Sequence, residues 1–95
     1  MATRNQFVER QHDEVRETLD RLRKHLAVCE ERLQEDPESE NCADLVETAR
    51  EGIAALEPVL AEFDNADVSP DELVNYAQTI EDWQAKEAEI SSRLA

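Results

Sequence analysis

The sequence predicts an all-α fold, an antiparallel up-down-up three-helix bundle, and three observations predict it. Apolar residues recur at alternating spacings of 4 and 3 along three separate stretches, the heptad pattern of helices packed with coiled-coil-like seams. Between those stretches lie the turn formers Asp36-Pro37-Glu38-Ser39 and Asp64-Asn65-Ala66-Asp67. With a single glycine and 3 prolines, the chain cannot punctuate a multi-stranded sheet, whereas three helices need only two turns. Its 95 residues suit one helical domain over residues 1–95. The bundle closes either within one chain or by pairing of two copies.

The first helix is expected over about residues 5–35. Val8, His12, Val15, Leu19, Leu22, Leu26, Cys29 and Leu33 form its seam, and the other faces carry mixed charge. Glu17–Arg21 and Asp20–Lys24 stand at the favourable i,i+4 spacing. Thr3 and Gln6 are placed for a capping box. In the following turn, Asp36, Ser39 and Asn41 are all candidate caps for the second helix.

The second helix is expected over about residues 38–63, with the seam Cys42, Val46, Ala49, Ile53, Leu56, Leu60 and Phe63. Leu45, Gly52 and Val59 widen this stripe, so the helix should touch two neighbours. Pro58 lacks the N–H that would bond the carbonyl of Ala54, which predicts a kink or break there. The third helix, about residues 69–94, has the clearest start. Ser69 is the N-cap, Pro70 is at N1, Glu72 completes a capping box, and Val68 with Leu73 forms a hydrophobic staple. Leu73, Tyr76, Ile80, Trp83, Glu87, Ile90 and Leu94 make its seam, with Glu87 the one charged member.

Charge is the strongest functional signal. The chain carries 24 acids and 10 bases, a formal charge of −14. Residues 1–35 hold eight acids and seven bases, so residues 36–95 hold sixteen acids and three bases. Such a field repels nucleic acid and anionic membrane and attracts basic surfaces. The alternative meaning of the acidity is solubility or adaptation to high salt. No leader-like segment is visible, and no apolar run approaches the ~18 residues of a membrane span, so the expected location is the cytoplasm.

Three constellations bear on chemistry. Glu9 and His12 form a Glu-x-x-His element that puts a carboxylate and an imidazole on one helical face, as in di-iron bundles, but one chain holds no second copy. His12-Asp13-Glu14-Val15 resembles the first helix of hemerythrin-like domains; such sites need more histidines than the 2 present, so no function is carried over. His25 and Cys29 stand at i,i+4, and Cys42 approaches from the second helix, which leaves two buried thiols, a disulfide or a metal site open. Which of these holds depends on the register of the first turn.

The third constellation is acidic. Glu40, Asp44, Glu47 and Glu51 step by 4, 3 and 4 along the face of the second helix away from its seam. Carboxylates one helical turn apart lie ~6 Å apart along the axis, close to the phosphate spacing of a nucleic-acid strand. Asp71, Glu72, Glu81 and Asp82 extend the field over the third helix. There is no glycine-rich phosphate loop, no nucleophile elbow and no paired histidine–acid signature, so binding is expected rather than catalysis. No catalytic residue, metal ligand or cofactor is assigned.

The expected function is a small acidic protein-binding module. It would act as an inhibitor or adaptor that docks a basic protein, including one that binds nucleic acid, through these eight carboxylates. The alternatives are a structural oligomerisation or chaperone-like subunit, with a homodimer as its simplest form, and a metal-binding bundle.

Overall fold

The computed structural model describes residues 6–95, and over them the chain is helical with two short connections. Helix α1 spans Gln6–Glu35, α2 Glu40–Asp64, α3 Pro70–Leu73 and α4 Ala77–Leu94, with a 3-10 turn over Val74–Tyr76. The capping box at Thr3 falls outside the described residues.

Local chemistry accounts for each boundary. Ser39 is the cap selected among the candidates: its Oγ accepts the Cys42 N–H at 3.2 Å, so α2 begins at Glu40, two residues later than the spacing suggested. Ser39 satisfies one of the orphan N–H groups of the first turn, which Asp36 is too far upstream to do. Ser69 caps α3 in the same way, accepting from the Glu72 N–H at 3.4 Å, with Pro70 next to it.

Two expectations need correction. Of the kink or break expected at Pro58, the break does not occur: α2 runs through it as one helix. Ala54 and Pro58 are both exposed, so water can serve the carbonyl that the ring leaves without a partner. The third helix, by contrast, is not continuous. It tightens into a 3-10 turn at Val74-Asn75-Tyr76. Residues i and i+3 eclipse in that geometry, which lines Tyr76 up with the fully buried Leu73 and brings its ring to 6.3 Å from that of Phe63.

Nearly all the buried apolar side chains of these helices belong to one cluster. From α1 come Val8, Val15, Leu19, Leu22 and Cys29; from α2 Leu45, Val46, Ala49, Leu56, Val59 and Phe63; from α3 and α4 Leu73, Ile80, Trp83 and Ile90. Leu26, Leu33, Ile53, Leu60, Tyr76 and Leu94 pack against it half-buried. Leu45 and Val59, the residues that widen the α2 stripe, are buried more deeply than the seam residues Ile53 and Leu60. The buried centre of α2 therefore lies between its two neighbours. The body is elongated, 54 × 19 × 15 Å with a radius of gyration of 15.2 Å. A compact chain of this length would have about 12 Å. Long, thin packing exposes much of each helix, and the outer faces carry the charge.

Gly52 marks the closest approach. A Cβ built there would lie 2.8 Å from Leu22 Cδ1 and 2.8 Å from two atoms of the Trp83 ring. The missing side chain is the notch into which the indole fits. Alanine would improve helix propensity by about 1 kcal/mol. Overpacking against a rigid ring costs about 1–3 kcal/mol and should win. We expect Gly52→Ala to lower the unfolding free energy by up to about 2 kcal/mol in a urea titration, although the same change in an open helix would raise it.

Candidate functional site

The cap at Ser39 and the apolar stripe of α2 together aim its acidic row. Cys42, Leu45, Val46, Ala49 and Gly52 are buried, so Glu40, Asp44, Glu47 and Glu51 point outward, and all four are exposed. Asp71 and Glu72 in the first turn of α3, where the helix dipole favours negative charge, are exposed as well, as are Glu81 and Asp82 on α4. All eight carboxylates named from the sequence thus lie on the surface. They do not form one compact patch. The Gly52–Trp83 contact sets Glu51 level with Asp82 along the long axis. Arg93 Nε donates to Asn41 Oδ1 at 3.0 Å, which places Glu40 near the end of α4. Asp71 and Glu72 stand at the opposite end, beyond the turn that follows α2.

The pairing of charge is more informative than its position. The ion pairs among the described residues are Arg16–Asp13 at 3.4 Å, Arg21–Glu17 at 3.9 Å, Arg21–Glu87 at 3.6 Å, Arg23–Glu57 at 3.5 Å, Lys24–Asp20 at 3.0 Å and Arg50–Glu30 at 3.2 Å, with His12–Asp64 and His25–Glu87. Nearly every cation in that set sits on α1. None of the eight outward carboxylates takes part. Asp82 alone among them accepts a side-chain hydrogen bond, from Gln78 Nε2 at 2.9 Å. Exposed pairs of this kind contribute little to stability, about 0–1 kcal/mol each. They do decide where uncompensated charge remains.

Between α2 and α4 lies a shallow cleft of about 230 Å³ lined by Thr48, Glu51, Lys86, Glu89, Ile90 and Arg93. Ligand sites usually run to about 300 Å³ or more. Its cations are held elsewhere: Lys86 Nζ lies 4.4 Å from the centre of the Trp83 ring, and Arg93 is bound to Asn41. Nothing in residue order marks Thr48, Lys86 and Glu89 as lining one cleft with Glu51. Only the packing of α2 on α4 brings them together.

Both histidines are engaged by carboxylates. His12 is half-buried, stacks on Phe63 with ring centres 5.7 Å apart, and lies 2.7 Å from Asp64 Oδ1 through Nε2. With the Nε2 proton donated to Asp64, the Arg16 guanidinium 3.1 Å from the same nitrogen has no lone pair there to donate to. Glu9, the other half of the Glu-x-x-His element, is exposed. His25 turns away from Cys29 and toward α4, where its Nε2 lies 3.0 Å from Glu87 Oε2. Glu87, flagged as the charged member of an apolar seam, is 7 % exposed and is the one buried charged residue among those described. Among the described residues no three His, Cys, Asp or Glu side chains converge as metal ligands.

Cys29 and Cys42 are buried free thiols. Burial pushes the Cys29 thiol above its ordinary value, and the nearby Cys42 adds to the shift. A thiol held neutral in the fold but free to ionise in the unfolded chain contributes stability that is fully present below about pH 8.5. That contribution is lost as pH rises through the raised folded value. We expect the melting temperature of the native chain to fall more steeply above pH 8.5 than that of Cys29→Ala, measured over the same buffers. Parallel slopes would show that Cys29 is not the group concerned.

No helix of the described residues is long and apolar enough to cross a membrane. Compared with protein families, curated proteins and solved structures, the chain matches none.

Proposed function

We propose that this chain is a non-catalytic protein-binding domain that docks a basic protein surface through Glu40, Asp44, Glu47, Glu51, Asp71, Glu72, Glu81 and Asp82. One observation carries the reading: these eight carboxylates are all exposed and stay outside the ion pairs, while the cations are gathered largely on α1 and paired there. An uncompensated field of one sign on a long body steers a partner of opposite sign and fixes its approach. Large apolar side chains exposed among the described residues are few: Phe7 at the start of α1, Val28 about six helical turns later, and Val74 in the 3-10 turn. They are too scattered in the chain to make a continuous patch, which favours docking by charge. A partner that itself binds nucleic acid fits the spacing of the α2 row, and the domain then acts as an inhibitor or adaptor.

The proposed scaffold is an up-down-up bundle with heptad-like seams. The order of the contacts supports it. As α1 positions rise through His12, Arg23 and Glu30, their α2 partners fall through Asp64, Glu57 and Arg50. Along α4 the partners of α1 rise, with His25 against Glu87 and Arg32 Nη1 on the Leu94 carbonyl at 3.0 Å.

The test is capture of host proteins on the immobilised chain at low salt, followed by elution with a salt gradient and measurement of association rates. A basic protein that elutes as salt rises, and whose association slows steeply between low and physiological salt, is the expected result. Retention that is indifferent to salt contradicts docking by charge.

A further inference from the structure

We infer that the cluster of Glu87, His25 and Arg21 is a register lock, a polar contact that selects one alignment of α4 on α1 at the expense of stability. Glu87 occupies a seam site where the pattern calls for an apolar side chain, and it is buried there between Trp83 and Ile90, its neighbours along the α4 stripe. Two groups on α1 reach it. His25 Nε2 lies 3.0 Å from one carboxylate oxygen, and Arg21 Nη1 lies 3.6 Å from the other. The second α1–α4 contact, Arg32 to the Leu94 carbonyl, has the same sequence offset of 62 as His25 to Glu87. Two polar contacts one heptad apart therefore specify the same alignment.

Apolar seams do not specify it as sharply. Leu, Ile and Val side chains repack over one another when one helix slips along another by a turn. A buried carboxylate has no such freedom. Slipped toward the end of α1, Glu87 comes level with Cys29, which is 0 % exposed, and loses both partners. Slipped toward the start of α1, it stays within reach of the flexible Arg21 but abandons His25 and comes level with Leu22, also 0 % exposed. The first slip leaves both carboxylate oxygens without a partner in the core, and the second leaves the oxygen that His25 served without one. A single polar group at a seam position is known to act in this way in coiled coils, fixing register and strand number while lowering stability. The Trp83–Gly52 notch positions α4 on α2, and the Glu87 cluster positions it on α1.

The test is the paired change His25→Leu with Glu87→Leu in the full chain, read by amide correlation spectra, solution mass and melting temperature. The expected result is a melting temperature higher by roughly 5 °C, because apolar isosteres of a buried pair are often stabilising. It is accompanied by a second set of amide signals at about a tenth of the intensity or more, or by a doubled mass. One sharp set of signals at the native mass, with the native α1–α4 proximities, overturns the inference, and so does a chain that no longer folds. Glu87→Gln, which keeps an acceptor for the His25 N–H, is expected to retain one set. If it splits instead, the hydrogen bond is not what selects the alignment, and the inference falls.

Discussion

Leu22→Ala is expected to lower the unfolding free energy by about 2–5 kcal/mol, the range for emptying a packed aliphatic site. For a domain of this size that is a fall of about 10 °C or more in melting temperature. Leu22 is fully buried, and it abuts both the Gly52 notch of α2 and the region of the Trp83 ring on α4, so its removal opens a void where three helices meet. Ile80→Ala should cost a similar amount, since Ile80 is equally buried one turn before Trp83. The notch supplies a sharper form of the prediction. A Cβ at residue 52 collides with Leu22 Cδ1 in the native chain, and that atom is gone in Leu22→Ala. Gly52→Ala should therefore be less costly in the Leu22→Ala background than alone, a coupling within the usual ~0.5–3 kcal/mol for residues in contact. The remaining clash with Trp83 keeps the compensation partial. Strict additivity in the double-mutant cycle would mean that Leu22 and Gly52 do not touch as described.

The second large effect is on binding. Glu40→Gln, Asp44→Asn, Glu47→Gln and Glu51→Gln made together should slow association with the captured basic partner by about tenfold or more at low salt, because long-range fields act mainly on encounter. The fold should survive. All four side chains are exposed and outside the ion pairs, so the change removes no buried contact. Glu40 sits in the first turn of α2, and neutralising it forfeits a dipole interaction of about 0.3–1 kcal/mol. Relief of like-charge repulsion at i,i+4 spacing returns about 0.2–0.5 kcal/mol for each pair. The two nearly cancel, and the melting temperature should move little. The control is Glu14→Gln with Glu17→Gln on α1, where charge is mixed. If the α2 variant binds as tightly as the native chain, the acidic surface is not where the partner docks.

The helices could be read from residue order because each carries its own signals. Ser69-Pro70 starts α3 by a mechanism confined to one turn, and the alternation of 4 and 3 in α1 assigns an inward face with no knowledge of the neighbour. The acidic row of α2 was legible for the same reason: once Cys42, Val46 and Ala49 are inside, Glu40, Asp44 and Glu47 must be outside. Where two local rules competed, residue order did not decide. Asp36, Ser39 and Asn41 are all acceptable caps, and the structure shows Ser39 in that place, its Oγ accepting the Cys42 N–H. Pro58 is a helix breaker by its own chemistry, yet α2 passes through it at a site where Ala54 and Pro58 are both exposed, so that water can serve the freed carbonyl.

By itself, then, the sequence determined the all-helical class, the inward and outward faces of each helix, and the sign and distribution of the surface charge. These depend on periods of three and four residues and on side-chain chemistry, which are local. Only the tertiary structure decided what lies across from what: His25 against Glu87 rather than Cys29, His12 against Asp64, and Trp83 in the space above Gly52. A heptad pattern states which side of a helix is buried but not how far the helix is displaced along its neighbour. That displacement is set by long-range contacts, the buried carboxylate and the missing Cβ among them.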